Sequence, residues 1–169
     1  YSSGQSGASS HLAAELFKSM AKVNITRVPY RSAGVEINDL ISGQVQLTFG
    51  SAGSVGQHVK SGRLRALAVT TAEPSALFPG VPTVSATGVP GYEAAAMSGV
   101  FVPARTPTAV INRLNADSVR VLHRDDVKER FFATGVETVG STPEEFGAKV
   151  KSEMARLGKV IKDAGIRED

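Results

Sequence analysis

Leu12, Leu16 and Met20 recur at i, i+4 and i+8, which predicts an amphipathic helix over Ser10 to Lys22 with that stripe inward. A polar stretch rich in Gly and Ser precedes it. Asn24 to Val28 reads as a short strand stopped by Pro29. A second helix is expected over Val35 to Ser42, burying Val35, Ile37, Leu40 and Ile41 and ending at Gly43. Val45 to Phe49 alternates apolar and polar residues as a strand does. A third helix is expected over Ala52 to Ser61, closing at Gly62. Arg65 to Thr70 carries the run Ala66-Leu67-Ala68-Val69, suited to a strand buried on both faces. Residues 71–92 hold much Pro and Gly and read as a surface connection with a short helix near Val84.

The pattern then changes. Tyr92 to Met97 and Val100 to Pro103 suit strands. Thr106-Pro107 opens a helix running to about His123, with Val110, Ile111, Leu114, Val119 and Leu122 inward. A shorter helix covers Asp126 to Thr134, and Gly135 to Val139 suits a strand. Thr142-Pro143-Glu144-Glu145 has the form of a capping box. It opens a last helix with the stripe Phe146, Val150, Met154, Leu157, Ile161, stopped at Gly165.

Strands and helices alternating at short spacing predict an α/β fold with parallel strands, flanking helices and right-handed crossovers. In a parallel sheet every strand-to-helix turn lies on one edge. Loops 3–10, 29–34 and 50–54 are then expected side by side, where open α/β sheets bind ligands. Each loop alone reads as an ordinary helix entrance. Three together offer small donors beside positive helix ends, a setting for an anion. The expected ligand contacts are N–H groups and hydroxyls of Gly7, Ser9, Ser10, Tyr30 and Ser51, with His11 and Ala52 in the same loops. Ser9 or Ser10 is expected to cap the first helix. Arg31 reads as a solvated surface charge, and His11 as support for the ligand loop rather than a catalytic base.

Composition narrows the classes. The chain has 169 residues, enough for a core of its own. Its net charge of +3 is dispersed, and with 6% aromatics and no Trp it lacks a base-stacking platform, so no nucleic-acid partner is expected. Cysteine is absent, which excludes a thiolate nucleophile and a Cys metal site. No apolar run reaches membrane-span length. The chain opens in what reads as the tail of a strand, as a mature protein or a piece cut inside a domain would. His11, His58 and His123 lack paired-ligand spacing, and the glycines of Gly50-Ser51-Ala52-Gly53-Ser54 are wrongly spaced for a dinucleotide or P-loop fingerprint. No nucleophile–base–acid set stands out, so no catalysis, cofactor or metal is expected.

Several stretches in order carry a family resemblance. They are Ser9-Ser10-His11-Leu12-Ala13-Ala14-Glu15-Leu16-Phe17, Val28-Pro29-Tyr30-Arg31, Asp39-Leu40-Ile41-Ser42-Gly43-Gln44-Val45, Ser61-Gly62-Arg63-Leu64-Arg65-Ala66-Leu67-Ala68-Val69-Thr70, Val81-Pro82-Thr83, Gly88-Val89-Pro90-Gly91-Tyr92 and Pro103-Ala104-Arg105-Thr106-Pro107. Together they resemble the Bug family, periplasmic solute-binding proteins of tripartite tricarboxylate transporters. The resemblance covers essentially the whole chain. It implies one lobe of a Venus-flytrap receptor of periplasmic binding protein type II, a small carboxylate ligand, periplasmic location and delivery to transporter membrane subunits. Family members are nearly twice as long. Residues 1–100 then correspond to the second, ligand-binding lobe, and 101–169 to a crossing segment with C-terminal helices that belong to or contact the first. Ser32 stands where the family commonly has glycine. Incomplete cover of the C-terminal helices implies self-association or mobility of that region, and a missing wall implies weak binding by the chain alone. The alternative from another class is a small α/β enzyme handling a phosphate or acyl group in the same loops; a third is a purely structural remnant.

Overall fold

The computed structural model describes residues 1–167. They divide into two units: Tyr1–Ala96 together with the chain from Leu157, and Met97–Arg156.

In the first unit β1 (Ser2–Ser3) pairs in parallel with β2 (Val28–Pro29), with Ser2 opposite Val28 and Ser3 opposite Pro29. On the other side of β1, Ser2 forms a parallel bridge to Thr48 and its N–H donates to Leu47 O at 2.8 Å. The sheet is thus parallel and small, as the alternation of elements requires, but its strands are shorter than expected. Residues 24–27 stay outside β2. Val69 pairs with Thr83 rather than with the sheet, and Leu67 is exposed, so the expected doubly buried strand at 65–70 is an isolated bridge. Its partners come from the Pro-rich connection, whose backbone runs alongside: Val69 N–H donates to Pro82 O and Val84 N–H to Val69 O.

Helix α1 (Ser9–Ala21) packs by His11, Ala13, Ala14 and Leu16. The expected stripe is therefore rotated: Leu16 is buried, Leu12 half-buried and Met20 exposed. The Tyr92 hydroxyl donates to Ala13 O at 2.9 Å. Helix α2 (Ala33–Ser42) buries Ile37 and ends at Gly43 in the left-handed conformation, while Val35 faces solvent. Helix α3 (Ala52–Lys60) follows Ser51, and a short 3-10 turn covers Ser85–Thr87. Leu16, Val84, Tyr92 and Val160 form the core, flanked by Phe17 and Phe49. Phe17 meets Tyr92 edge-on, ring centroids 6.0 Å apart. Aromatic pairs in this geometry add to the stabilisation from area burial.

The second unit is helical. It holds α4 (Thr108–Leu122), α5 (Asp125–Ala133) and most of α6 (Pro143–Asp163). The capping box forms: Glu145 N–H donates to Thr142 Oγ1 (3.1 Å) and Thr142 N–H to the Glu145 carboxylate (2.9 Å). The strands expected at 92–97, 100–103 and 135–139 are irregular backbone. Among its described residues no apolar side chain is buried, and Glu153 is, held by Lys149 and Arg156. Met154, expected inward, faces solvent.

Candidate functional site

Register decides the site. β1 runs into loop 4–8, β2 into 30–32, and the segment bridged at Thr48 into 49–51. All three strands are parallel and in step, so all three turns leave from one edge. There they border an open cavity of about 290 Å³ lined by Gly4, Gln5, Ser9, Ser10, Tyr30, Arg31, Ala33, Glu36, Ile37, Thr48, Phe49, Gly50, Ser51 and Ser54. A Cβ on Gly50 would stand 2.5 Å from Val55 Cγ1, so glycine lets the third turn pass close to its own helix.

Each turn feeds a helix whose first N–H groups precede the backbone ladder. In α1 the first ladder bond runs from Leu12 N–H to Ala8 O, leaving Ser9, Ser10 and His11 ahead of it. Ala8, not Ser9 or Ser10, occupies the cap position, and it provides no side-chain acceptor. Ser10 Oγ instead accepts from Gly4 N–H (3.0 Å), tying the loop to the helix. In α3 the Ser51 hydroxyl caps Ser54 N–H (3.3 Å) and donates to Ser54 Oγ (3.1 Å). Ser32, before α2, has φ −132°, an extended conformation any residue adopts, so this turn has no need of glycine.

Of the expected residues, Ser9, Ser10, Tyr30 and Ser51 line the cavity together. Gly7, His11 and Ala52 do not. Gly7 takes a positive φ of 79°, and its N–H donates to His11 Nδ1 at 3.2 Å. His11 is buried and props the loop from below. Ala52 is half-buried at the start of α3. Tyr30 has both donors engaged: its hydroxyl goes to Asp39 Oδ2 (2.8 Å) and its N–H to Ser3 O (2.9 Å). Its ring is therefore wall rather than donor.

Electrostatics around the first loop are set by Arg27. Its Nε donates to Ser3 Oγ (2.7 Å), Nη2 to Gly4 O (2.7 Å) and Nη1 to Ser6 Oγ (3.5 Å). A planar guanidinium holds three groups of one loop in fixed geometry. Burial lowers the His11 pKa, and the charges of Arg27 and Lys18 lower it further against the pull of Glu15. A neutral ring with a free Nδ1 lone pair is the form that accepts from Gly7. Burial opposes ionisation of Glu15, yet hydrogen bonds from Lys18 and Tyr1 hold its carboxyl below the usual range.

Arg27 and Glu36 were not singled out by the sequence pattern. Arg27 acts 21 to 24 residues from its partners, a distance no local motif encodes. Glu36 sits at the polar entrance of α2, where acidic residues are ordinary. Arg31 lies exposed and lines the cavity. Among the described residues no cluster of three metal-ligating side chains occurs, and no helix is long and apolar enough to cross a membrane.

Comparison with known proteins places this edge in context. A relative described as a UPF0065 protein in the tcbD–tcbE intergenic region of Pseudomonas sp. strain P51 is 37% identical over 162 residues, which are 95% of this chain and 48% of that protein. Among solved structures, the R. palustris protein Rpa4515 with adipate superposes with a TM-score of 0.80 at 37% identity, covering 98% of this chain and 56% of that one. The periplasmic binding protein BugD superposes with a TM-score of 0.70 at 27% identity, covering 99% and 57%. The chain thus spans about half the length of these proteins. The model of the tripartite tricarboxylate transporter family receptor matches residues 1–166, and the chain belongs to that family.

Proposed function

We propose that the cavity at the sheet edge is the carboxylate-contacting wall of a solute-binding receptor that feeds a tripartite transporter. The observation that carries this reading is the convergence of three parallel strand-to-helix turns on one cavity. Ser9 and Ser10 present hydroxyls and unladdered N–H groups at the positive end of α1, and Ser51 lines the cavity at the start of α3, its hydroxyl held by Ser54. Tyr30 walls the cavity between them. Gly7 and His11 hold the first loop in shape. The family is one of receptors, which supports binding and delivery without catalysis. Periplasmic location, a small carboxylate ligand and docking to transporter membrane subunits are its corollaries for this chain, supported by the family model and by a periplasmic structural relative. Self-association is supported by the apolar surface of the second unit.

Calorimetric titration with hexanoate tests the reading. Charge-assisted hydrogen bonds contribute about 1.5–3 kcal/mol each. Ser10→Ala is therefore expected to weaken binding about tenfold or more. Unchanged affinity in the Ser9→Ala/Ser10→Ala double variant would refute it.

A further inference from the structure

The cavity that offers hydroxyls to an anion also holds an acid. Glu36 lines it together with Ser9, Ser10, Ser51 and Ser54. It is the fourth residue of α2, and its N–H makes the first bond of that helix, to Ser32 O at 3.1 Å. Its Oε1 accepts from Thr48 Oγ1 at 2.8 Å. Thr48 is itself fixed by its bridge to Ser2 in the sheet. The helix thus fixes the Glu36 backbone, and Thr48 holds its carboxylate at the cavity wall. The other acid on this side of α2, Asp39, is engaged by the Tyr30 hydroxyl and lies outside the lining. Arg31 is the one basic residue of the lining, and it is exposed, where solvent screens its charge.

We infer that Glu36 sets the ligand class: a carboxylate at one end and a cationic or hydrogen-bond-donating group at the other, with dicarboxylates disfavoured. The inference rests on the carboxylate reading given above. A ligand whose first carboxylate sits on Ser9 and Ser10 extends into a cavity of about 290 Å³ that already contains a fixed negative charge. A second carboxylate there meets like charge. An ammonium or amide group instead gains a charge-assisted hydrogen bond to the lone pairs that Thr48 leaves free. Glu36 thereby favours one ligand class and repels the other, which is how a few side chains produce selectivity.

Three ligands with the same six-carbon chain separate the terms: hexanoate, adipate and 6-aminohexanoate, titrated by NMR into the 169-residue chain. In the unmodified chain 6-aminohexanoate is expected to bind about tenfold or more tighter than adipate. Glu36→Gln is expected to bring the two within about twofold. Thr48→Val, which removes the anchor and keeps the charge, provides a second variant and should narrow the same ratio. Adipate bound as tightly as the amino acid, or a ratio indifferent to both variants while hexanoate still binds, overturns the inference and leaves the carboxylate reading intact. Failure of all three ligands to bind overturns the carboxylate reading itself, and the inference with it.

Discussion

The two units bury different things. In Tyr1–Ala96 an aromatic and aliphatic cluster closes around Tyr92, which is 1% exposed, and long-range polar bonds stitch distant segments together. In Met97–Arg156 the described buried residue is Glu153, while Phe101 is 73% and Val100 80% exposed. Eleven of the sixteen large apolar side chains found exposed in the described chain belong to this shorter unit. One of its helices, α6, opens on a capping box, and α4 carries an i,i+4 ion pair, Arg113–Asp117, but local order supplies little packing energy. The contrast teaches that an element can be locally well specified and still depend on other surface for its stability. The proposed binding edge lies in the unit that has its own core.

A first expected effect concerns local opening. Amides of α4 and α5 should exchange with solvent at least about 100-fold faster than those at the centre of α1, a difference of ~2.8 kcal/mol. Equal protection in hydrogen-exchange measurements would erase the comparison. Light scattering sharpens it: association that disappears on Phe101→Ser/Val139→Ser would tie the exposed surface to contacts between copies.

Side-chain truncation should follow the same division. Tyr92→Ala removes the central core ring and should cost about 3–5 kcal/mol in denaturant unfolding. Phe101→Ala should cost less than about 1 kcal/mol, because the ring is already in water. Comparable losses would show that the second unit packs as firmly as the first.

A smaller effect is expected at the first loop. Arg27→Ala frees Ser3, Gly4 and Ser6 and should weaken carboxylate binding about fivefold to tenfold, with Arg27→Lys a poor substitute for the planar fork. Full affinity in both variants would show that the loop holds its shape without the clamp.

The smallest effect is a pH dependence. The folded-state pKa of His11 lies below the ordinary value of about 6.5, so the unfolded chain takes up this proton first on acidification. The stability tied to neutral His11 is therefore complete above about pH 6.5 and declines as pH falls toward and through the lowered value. Arg27, Lys18 and Glu15 are the charges facing the ring. A His11→Gln variant should lose this part of the acid sensitivity. An identical pH profile would remove His11 as the prop.

What was legible in the sequence was mostly local. The capping box at Thr142, the glycine stops of α2 and the Gly/Ser turns after short strands each follow from neighbouring residues and are present. The parallel edge could be read because alternation of strand and helix constrains handedness and direction. The helix faces were harder. Period alone selected Leu12 and Met20, whereas His11, Ala13 and Ala14 are buried beside Leu16. The strand at 65–70 failed because its partner is an irregular Pro-rich segment. Arg27 and the Thr48–Glu36 bond were invisible because they join separate turns.

The central claim, that Ser9, Ser10 and Ser51 converge on one anion site, is tested most directly by mapping a hexanoate titration on the backbone amides of the chain. Saturable shifts should cluster at Ser9, Ser10, Ala52 and Ser54, with one shared dissociation constant that rises about tenfold or more in Ser9→Ala/Ser10→Ala. Shifts confined to other segments, or an unchanged constant in the double variant, would contradict it.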